Sequence, residues 1–490
     1  SRERRSAPCT AAQAVNHVMP PRFSTVIVRF MVFVCLFGAG SFVVGGPAQA
    51  GEQAPSAHEP SGMMVHIPVP LAPLVKVYET VHHDLSVRRA NAKDWVALGG
   101  GTGFLTYRLW PGTQDFSVEG DHLRAQAVLP FGVEYAKRGD GTLTKLAACG
   151  VESPTIGAGR LAVTMLTRLG LGRGYQLVPA TSVMSVEPKG SCLLQDHAVD
   201  ATPLMVQVYR SELQQALPAA DQKAMQAVSL KPAMTQVWRE LQEPLLVDEA
   251  NALWLIVQPV AVAPAGVQPA SPSLTAAYAV ASRPTVVRGA RPSVPLRVLP
   301  ELSETPMPDG FHVIFDAAVP LEEANQRLRD AIVGQEWSLG VGMVRIDDAK
   351  LYPIGDQAGV EVMLRGLLPL TVVLKGTPEY DEGTGQIVFK RFDYTIKERT
   401  GVTDFAEVYL HDTLRDLLGQ RVTVPIREEL NATRRAVEQG LNRRLKGGRL
   451  RGTVEQVALK KLAFHPAGLS ASFTIDGELH YDVDGTATAQ

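Results

Sequence analysis

The chain has 490 residues, with 48 Lys and Arg against 50 Asp and Glu and a formal net charge of −2 at pH 7. That length exceeds one ordinary hydrophobic core, so two or more domains are expected. The near balance of charge gives no global pull toward nucleic acid, and no nucleic-acid partner is expected.

Met19, Arg22 and Arg29 precede the apolar stretch Phe30 to Val44, which ends in Pro47-Ala48-Gln49-Ala50. A basic start, an apolar centre and a small-x-small ending are the parts of a secretory signal peptide, so residues 1–50 are expected to be one, cleaved after Ala50. The competing reading, a retained anchor, needs about 20 apolar residues. Cys35 lacks the small-residue context of a lipoprotein cysteine. A periplasmic or secreted protein is therefore expected. Loss of the leader removes Cys9 and Cys35 and leaves Cys149 and Cys192. An even pair in an oxidising compartment reads as one disulfide, whose loop of about 44 residues contributes about 4 kcal/mol in the chain-entropy model. Two buried free thiols are the other reading; a metal site lacks further ligands nearby.

Residues 51–62, with Pro55 and Pro60, read as a flexible leader, and residues 63–260 as a first α+β domain. Met63 to Val69 fits a strand, and Leu74, Val77, Tyr78 and Val81 place a helix over Leu71 to Leu85. The glycine cluster at 99–103 reads as a turn before a strand over Phe104 to Trp110. From His122 to Tyr135, Leu123, Ala125, Ala127, Leu129, Phe131, Val133 and Tyr135 take every second position. That two-residue period over about 14 residues predicts a strand of about 46 Å, apolar on one face, in an antiparallel sheet. Pro130 and Gly132 predict a bend there, at a sheet edge. Strands are also expected at Leu161 to Leu169, Tyr175 to Val178, Ser182 to Val186, Leu193 to Val199 and Leu253 to Val257. Helices are expected at Pro203 to Leu217 and Ala233 to Leu241.

Prolines recur between Pro259 and Pro308, so residues 261–308 read as a proline-rich connection, with Leu274 to Val287 a strand candidate inside it. Residues 309–490 then form a second α+β domain that restates the first: Val69-Pro70-Leu71 opens one strand-to-helix step and Val319-Pro320-Leu321 another. Sheet-like runs follow at Gly359 to Leu364, Leu370 to Leu374 and Gln386 to Ile396, with a helix at Phe405 to Leu418. A long helix is expected over 425–446. Pro425 suits its first position, and Ile426, Leu430, Val437, Leu441 and Leu445 form one stripe. Strands at Gly452 to Phe464 and Leu469 to Val483 complete the domain, the last alternating through Phe473 and Ile475.

The run from Trp238 to Leu245, with Leu253 to Pro259, resembles the W-x-x-L-x-x-P…W-L-x-x-x-P stretch of a bacterial family catalogued as domain of unknown function 4403. Leu374 to Asp381, continuing from Gly385 to Ile396, resembles that family's L-x-G-x-P-x-Y-D strand pair. Cys149 and Cys192 also stand where such proteins carry cysteines. The resemblance covers nearly all the mature chain and implies structure, not chemistry. It also implies a frequent lipoprotein anchor, for which no cysteine is evident here. The element order further resembles tubular lipid-binding (TULIP-like) proteins. That implies an α+β fold of two related halves, each a long curved antiparallel sheet wrapped around long helices, with acyl chains between them.

No catalytic constellation is recognised, so an enzyme is not expected; neither is a cofactor. His82-His83-Asp84 reads as surface histidines at a helix end, since adjacent helical residues do not point at one ion, and no metal site is expected. The glycines at 99–103 lack the Lys-Ser/Thr of a phosphate loop, and the mature chain has no G-x-S-x-G. Asp347-Asp348 and Asp381-Glu382 read as solvated turn carboxylates, and Trp238 and Trp254 as core anchors.

Strands this long carry more apolar face than one narrow-striped helix covers. The expected function is therefore an envelope protein that binds or carries a lipid or other long apolar ligand in a groove between sheet and helix. Leu123, Ala127, Phe131, Leu430, Val437, Phe473 and Ile475 are the candidate liners. Arg443, Arg444 and Lys446 are candidates for an anionic lipid headgroup, with peripheral membrane contact. The alternative is a structural or protein-interaction module with a filled core.

Overall fold

The computed structural model describes residues 60–485 except 91–94, 98–101, 152–157, 195–198, 250–251, 271–272, 339–342, 356, 367–369 and 398–422. The signal peptide expected over 1–50, most of the leader, most of the glycine cluster and the helix expected over Phe405 to Leu418 lie outside the described residues.

The protein is α+β and mostly β, built from several antiparallel sheets. Strand β1 (Ser61–Pro68) runs into helix α1 (Leu71–Ala90). One sheet then takes β2 (Gly103–Leu109), β3 (Thr113–Glu119), β4 (His122–Gly139), β5 (Thr142–Cys149), β6 (Gly159–Leu171) and β7 (Leu177–Gly190). Helices α2 (Thr202–Ala227) and α3 (Lys231–Glu240) follow. Next come β8 (Leu245–Asp248), β9 (Leu253–Ile256), β10 (Pro259–Ala270), β11 (Ser273–Ser282) and β12 (Thr285–Arg288). Strand β13 (Phe311–Pro320) runs directly into α4 (Leu321–Ile332). A second meander holds β14 (Met343–Ile354), β15 (Gln357–Arg365), β16 (Leu370–Asp381) and β17 (Gln386–Ile396). Helix α5 (Arg427–Leu441), β18 (Gly448–His465) and β19 (Gly468–Val483) close the chain.

The long alternation from His122 becomes β4, which is paired along both sides rather than lying at an edge. Its first part pairs with β3 and β6 and its second part with β2 and β5. The partners change at Pro130–Gly132. Proline cannot donate to a ladder there, and a Cβ on Gly132 would stand 2.4 Å from the Gly150 carbonyl oxygen. Proline thus sits inside the sheet because the ladder is interrupted at that point anyway.

The central sheet has the order β10–β11–β1–β19–β18, and β13 also pairs with β19. One side of β19 is shared end to end. Residues 468–477 pair antiparallel with β13, and residues 480–482 pair parallel with β1. The first and last described strands therefore meet in one sheet. The segment expected as a proline-rich connection begins instead with the hairpin β10–β11. Pro259, Pro264 and Pro269 are tolerated because β10 finds its ladder partner on one side, in β11, and the register shifts between Pro264 and Gly266. The strand candidate Leu274 to Val287 is split at Pro284: β11 joins the central sheet, and β12 joins a three-stranded sheet with β9 and β8.

The long helix is shorter than its apolar stripe predicts. Pro425 belongs to a short strand opposite Gln386, not to a first helical turn. At the other end the Asn442 side-chain amide donates to the carbonyls of Glu438 and Gly452, both at 2.7 Å, and Arg443 and Arg444 pair with Leu450 and Arg449. Backbone pairing that no local pattern announces wins over helical propensity there.

Candidate functional site

Helix α5 carries Leu430, Thr433, Val437 and Leu441 at spacings of three and four, so they share one face. That face looks onto the central sheet. Across the β13–β19 ladder, Val313 opposes Ile475 and Phe315 opposes Phe473, the two rings lying 6.0 Å apart. The third wall is the sheet β8–β9–β12, which contributes Val247, Leu253, Leu255 and Val286. These walls enclose a cavity of about 330 Å³ lined mainly by aliphatic and phenyl groups, with Asp248, Arg288, Asp316 and Thr433 also on its lining, within the range of about 300–1,000 Å³ usual for small-molecule pockets. Helix and third wall touch at one end only, where a Cβ on Gly440 would fall 2.1 Å from the Val247 carbonyl oxygen. Glycine is required for that approach.

Of the expected liners, Leu430, Val437, Phe473 and Ile475 are brought together around this cavity. Leu123, Ala127 and Phe131 are not; they are buried on β4 in the interior of the first sheet, with the Phe131 ring packed over Gly159. Sequence reasoning missed Phe311, Val313 and Phe315 on β13 and the whole third wall. The two-residue alternation of Phe311 to Val319 was the available signal for these β13 liners. A strand at Leu253 was expected, but nothing local foretold that β9 would pair with β8 and with the distant β12 to form a wall opposite α5.

The basic residues at the end of α5 are engaged within the fold. The Arg443 guanidinium donates to the carbonyls of Gly440 and Leu246, and burial lowers its pKa. Arg444 pairs with Asp484 at 2.7 Å. Lys446 lies 3.8 Å from Glu243, in a shallow polar groove with Lys231, Arg239 and Glu240.

The interior between the first sheet and α1 and α2 is packed with aromatic side chains. Tyr78, Tyr107 and Tyr209 are buried there, together with His82, which is only 4% exposed and is not the surface histidine its neighbour His83 suggests. His82 Nδ1 and Tyr209 Oη are hydrogen-bonded at 2.5 Å. Burial pushes the imidazole down to about 4 and holds Tyr209 well above the usual phenol range. Tyr78 Oη donates to Asp221 at 2.7 Å, Thr181 donates to the same carboxylate at 2.6 Å, and Tyr107 donates to Glu212. Each aromatic body is sequestered while its polar tip finds a partner. A polar cleft of about 430 Å³ remains between α1 and α2, edged by Asp84, Glu212 and Lys223.

Cys149 and Cys192 form the disulfide, Cα to Cα 5.6 Å, tying the end of β5 to the approach to α2. Such a bond fits an oxidising compartment. Trp238 is a core residue whose indole N–H donates to the Arg297 carbonyl at 3.0 Å, and the Gln242 amide donates to the same oxygen at 3.0 Å. The irregular proline-rich segment around Arg297 is thus strapped to α3. Trp254 is half-buried rather than a core anchor, donating to the Gly289 carbonyl at 2.9 Å. Asp381 accepts from Gly383 N at 2.9 Å and Thr384 Oγ1 at 2.9 Å, closing the β16–β17 turn. Among the described residues no group of three or more His, Cys, Asp or Glu side chains is placed to hold a metal ion, and no helix is long and apolar enough to cross a membrane.

These observations define an α+β protein, mostly antiparallel sheet, with a mainly apolar cavity walled by a helix and two sheets. The chain belongs to the family described as a domain of unknown function (DUF4403), whose model matches residues 59–483. No curated protein matches it. It is similar to a solved structure described as the crystal structure of lipopolysaccharide binding protein. The two are 12% identical over 86% of this chain and 99% of that chain, with a TM-score of 0.21. Likeness at that level says nothing of what this chain binds.

Proposed function

We propose that this protein binds a lipid or other long apolar molecule in the cavity between α5, the central sheet and the β8–β9–β12 wall. The observation that carries the reading is the cavity itself. A space of about 330 Å³ walled mainly by Leu, Val, Ile, Ala and Phe, with polar groups in the minority, offers water few partners, and predominantly apolar cavities favour apolar guests. Four residues whose period alone nominated them as liners are among its walls.

The finer architecture we infer is two related TULIP-like halves, expected over 63–260 and 309–490. The pairing supports it. β1 leads into α1 as β13 leads into α4, and each opening strand pairs antiparallel with the second strand of a hairpin that closes its own half. For β1 that partner is β11; for β13 it is β19. The first half then includes the hairpin that composition assigned to the connection. We further infer that the protein works outside the cytoplasm, in the periplasm or secreted, which the disulfide supports.

Native mass spectrometry of gently purified protein tests the binding. A mass increment that extracts as lipid is expected; bare protein under conditions that preserve a control lipid carrier removes the proposal. The second reading, a structural or protein-interaction module, is favoured by the filled first-half interior around Tyr78, Tyr107 and Tyr209. A bare protein that pulls down an envelope partner would establish it.

A further inference from the structure

This inference rests on the cavity reading above and adds the shape of guest that the cavity selects. The cavity has a closed end and an open end. Across β18, β19 and β13 the row Val454, Gly477 and Phe311 is in register, and further along the same strands the row Leu459, Phe473 and Phe315. The first row lies beside the C-terminal turn of α5, because the Val454 amide donates to Glu438 and the Asn442 side chain to the Gly452 carbonyl. Exposure grows away from it. On β13, Phe311 and Val313 are each 2% exposed, Phe315 and Ala317 are half-buried, and Ala318 is exposed. The closed end is therefore at Leu441, which is fully buried. Helix and wall are clasped together there. The Arg443 guanidinium donates to the carbonyls of Gly440 on α5 and Leu246 on β8, and Gly440, lacking a Cβ, lets the Val247 backbone come against the helix.

We propose that the cavity is a blind slot for a single alkyl chain that enters methyl end first from the Ala317 side, and that the closure at Leu441 and Arg443 sets the length of chain it accepts. The polar side chains on the lining, Asp248, Arg288, Asp316 and Thr433, already have partners within the protein. The walls therefore offer a guest apolar contact rather than hydrogen bonds, and selection falls to fit. A buried apolar end receives a methyl group without cost and strips water from a polar head, so the tail leads. A space of about 330 Å³ lies at the low end of ligand-pocket volumes and suits one chain rather than two. Helix α5 rises about 16 Å from Leu430 to Leu441, about the reach of an extended dodecyl chain. Carbons beyond that length find the end shut and stay in water. Arg443 acts here as a positioning residue, holding the helix on the wall.

The test is displacement of the neutral dye Nile red from the whole protein by straight-chain alcohols from octanol to hexadecanol, whose common head leaves chain length as the variable. Affinity is expected to rise about fourfold per added methylene up to about dodecanol and then to stop rising. Leu441→Ala, which deepens the slot, should carry that break to longer chains, and Arg443→Met, which releases the clasp, should blur or remove it; retained Nile red binding is the control for folding in both. An affinity that climbs evenly through hexadecanol in the unaltered protein overturns the blind slot and leaves the cavity reading intact, and this series decides the point even where a variant fails to fold. A break that stays in place in both folded variants overturns the assignment of the closure. Failure of the dye and of every alcohol to bind overturns the cavity reading and this inference with it.

Discussion

The space between the first sheet and α1 and α2 holds Tyr78, Tyr107, Tyr209 and His82, each with its polar tip bonded. The space beside α5 holds aliphatic side chains that stop short of one another and leave about 330 Å³. Both lie under long antiparallel strands, so sheet length does not decide whether an interior is full. Side-chain reach does. Tyrosine spans the gap and satisfies its hydroxyl on the far side, whereas Leu430 and Val437 of α5 face the rings of β13 and β19 without filling the distance. The protein is stapled and polar-bonded in one region, where the space that remains is a polar cleft between the helices, and encloses a mainly apolar cavity in the other.

Breaking the staple should have the largest effect. Replacing Cys149 and Cys192 with serine should cost about 4 kcal/mol of folding stability, seen as a lower denaturation midpoint in urea, with the affinity of the α5 cavity for an apolar dye unchanged. Leu213→Ala, under α2 in the filled interior, should cost about 3 kcal/mol by the same measurement, since a packed site cannot collapse onto the void.

Acid sharpens the contrast from another side. His82 is held neutral by burial, at about 4 against 6.5 for the free side chain. Between those values the unfolded chain binds the extra proton, so stability falls as pH drops from about 6.5 toward 4, by at most about 3 kcal/mol. A His82→Gln variant should show a shallower loss of melting temperature over that window; an identical slope would assign the acid sensitivity elsewhere. The smallest stability effect belongs to the open region. Val437→Phe should change folding stability by less than about 1 kcal/mol, where a filled core would lose about 1–3. It should nevertheless abolish dye uptake, because the added ring occupies the ligand's space.

Much of the fold was legible because it is periodic. The alternation of Leu123 to Val133 gave β4, that of Leu469 to Val483 gave β19, and the Val-Pro-Leu steps at 69 and 319 marked both strand-to-helix entries. The family resemblance pointed at Trp238 and Asp381, and the structure assigns each a bonding role, one strapping the proline-rich segment at Arg297 and one closing a turn. The site was half legible. Phe473, Ile475, Leu430 and Val437 were found from their faces. Leu123, Ala127 and Phe131 have the same period and face a filled interior, because period reports which way a side chain points and not what stands opposite. His82 was misread for a related reason: its helix position alone could not reveal the Tyr209 hydroxyl that waits there.

What the sequence by itself determined is local and directional: where strands and helices run, which face of each is apolar, and which two cysteines remain to pair. Only the tertiary structure decided that α5 ends at Leu441, that the first and last described strands share one sheet, and that β8, β9 and the more distant β12 build a wall opposite α5. Each of those outcomes turns on backbone groups finding partners far along the chain and on the distance left between opposing faces. Neither quantity is written in the residues of any one segment.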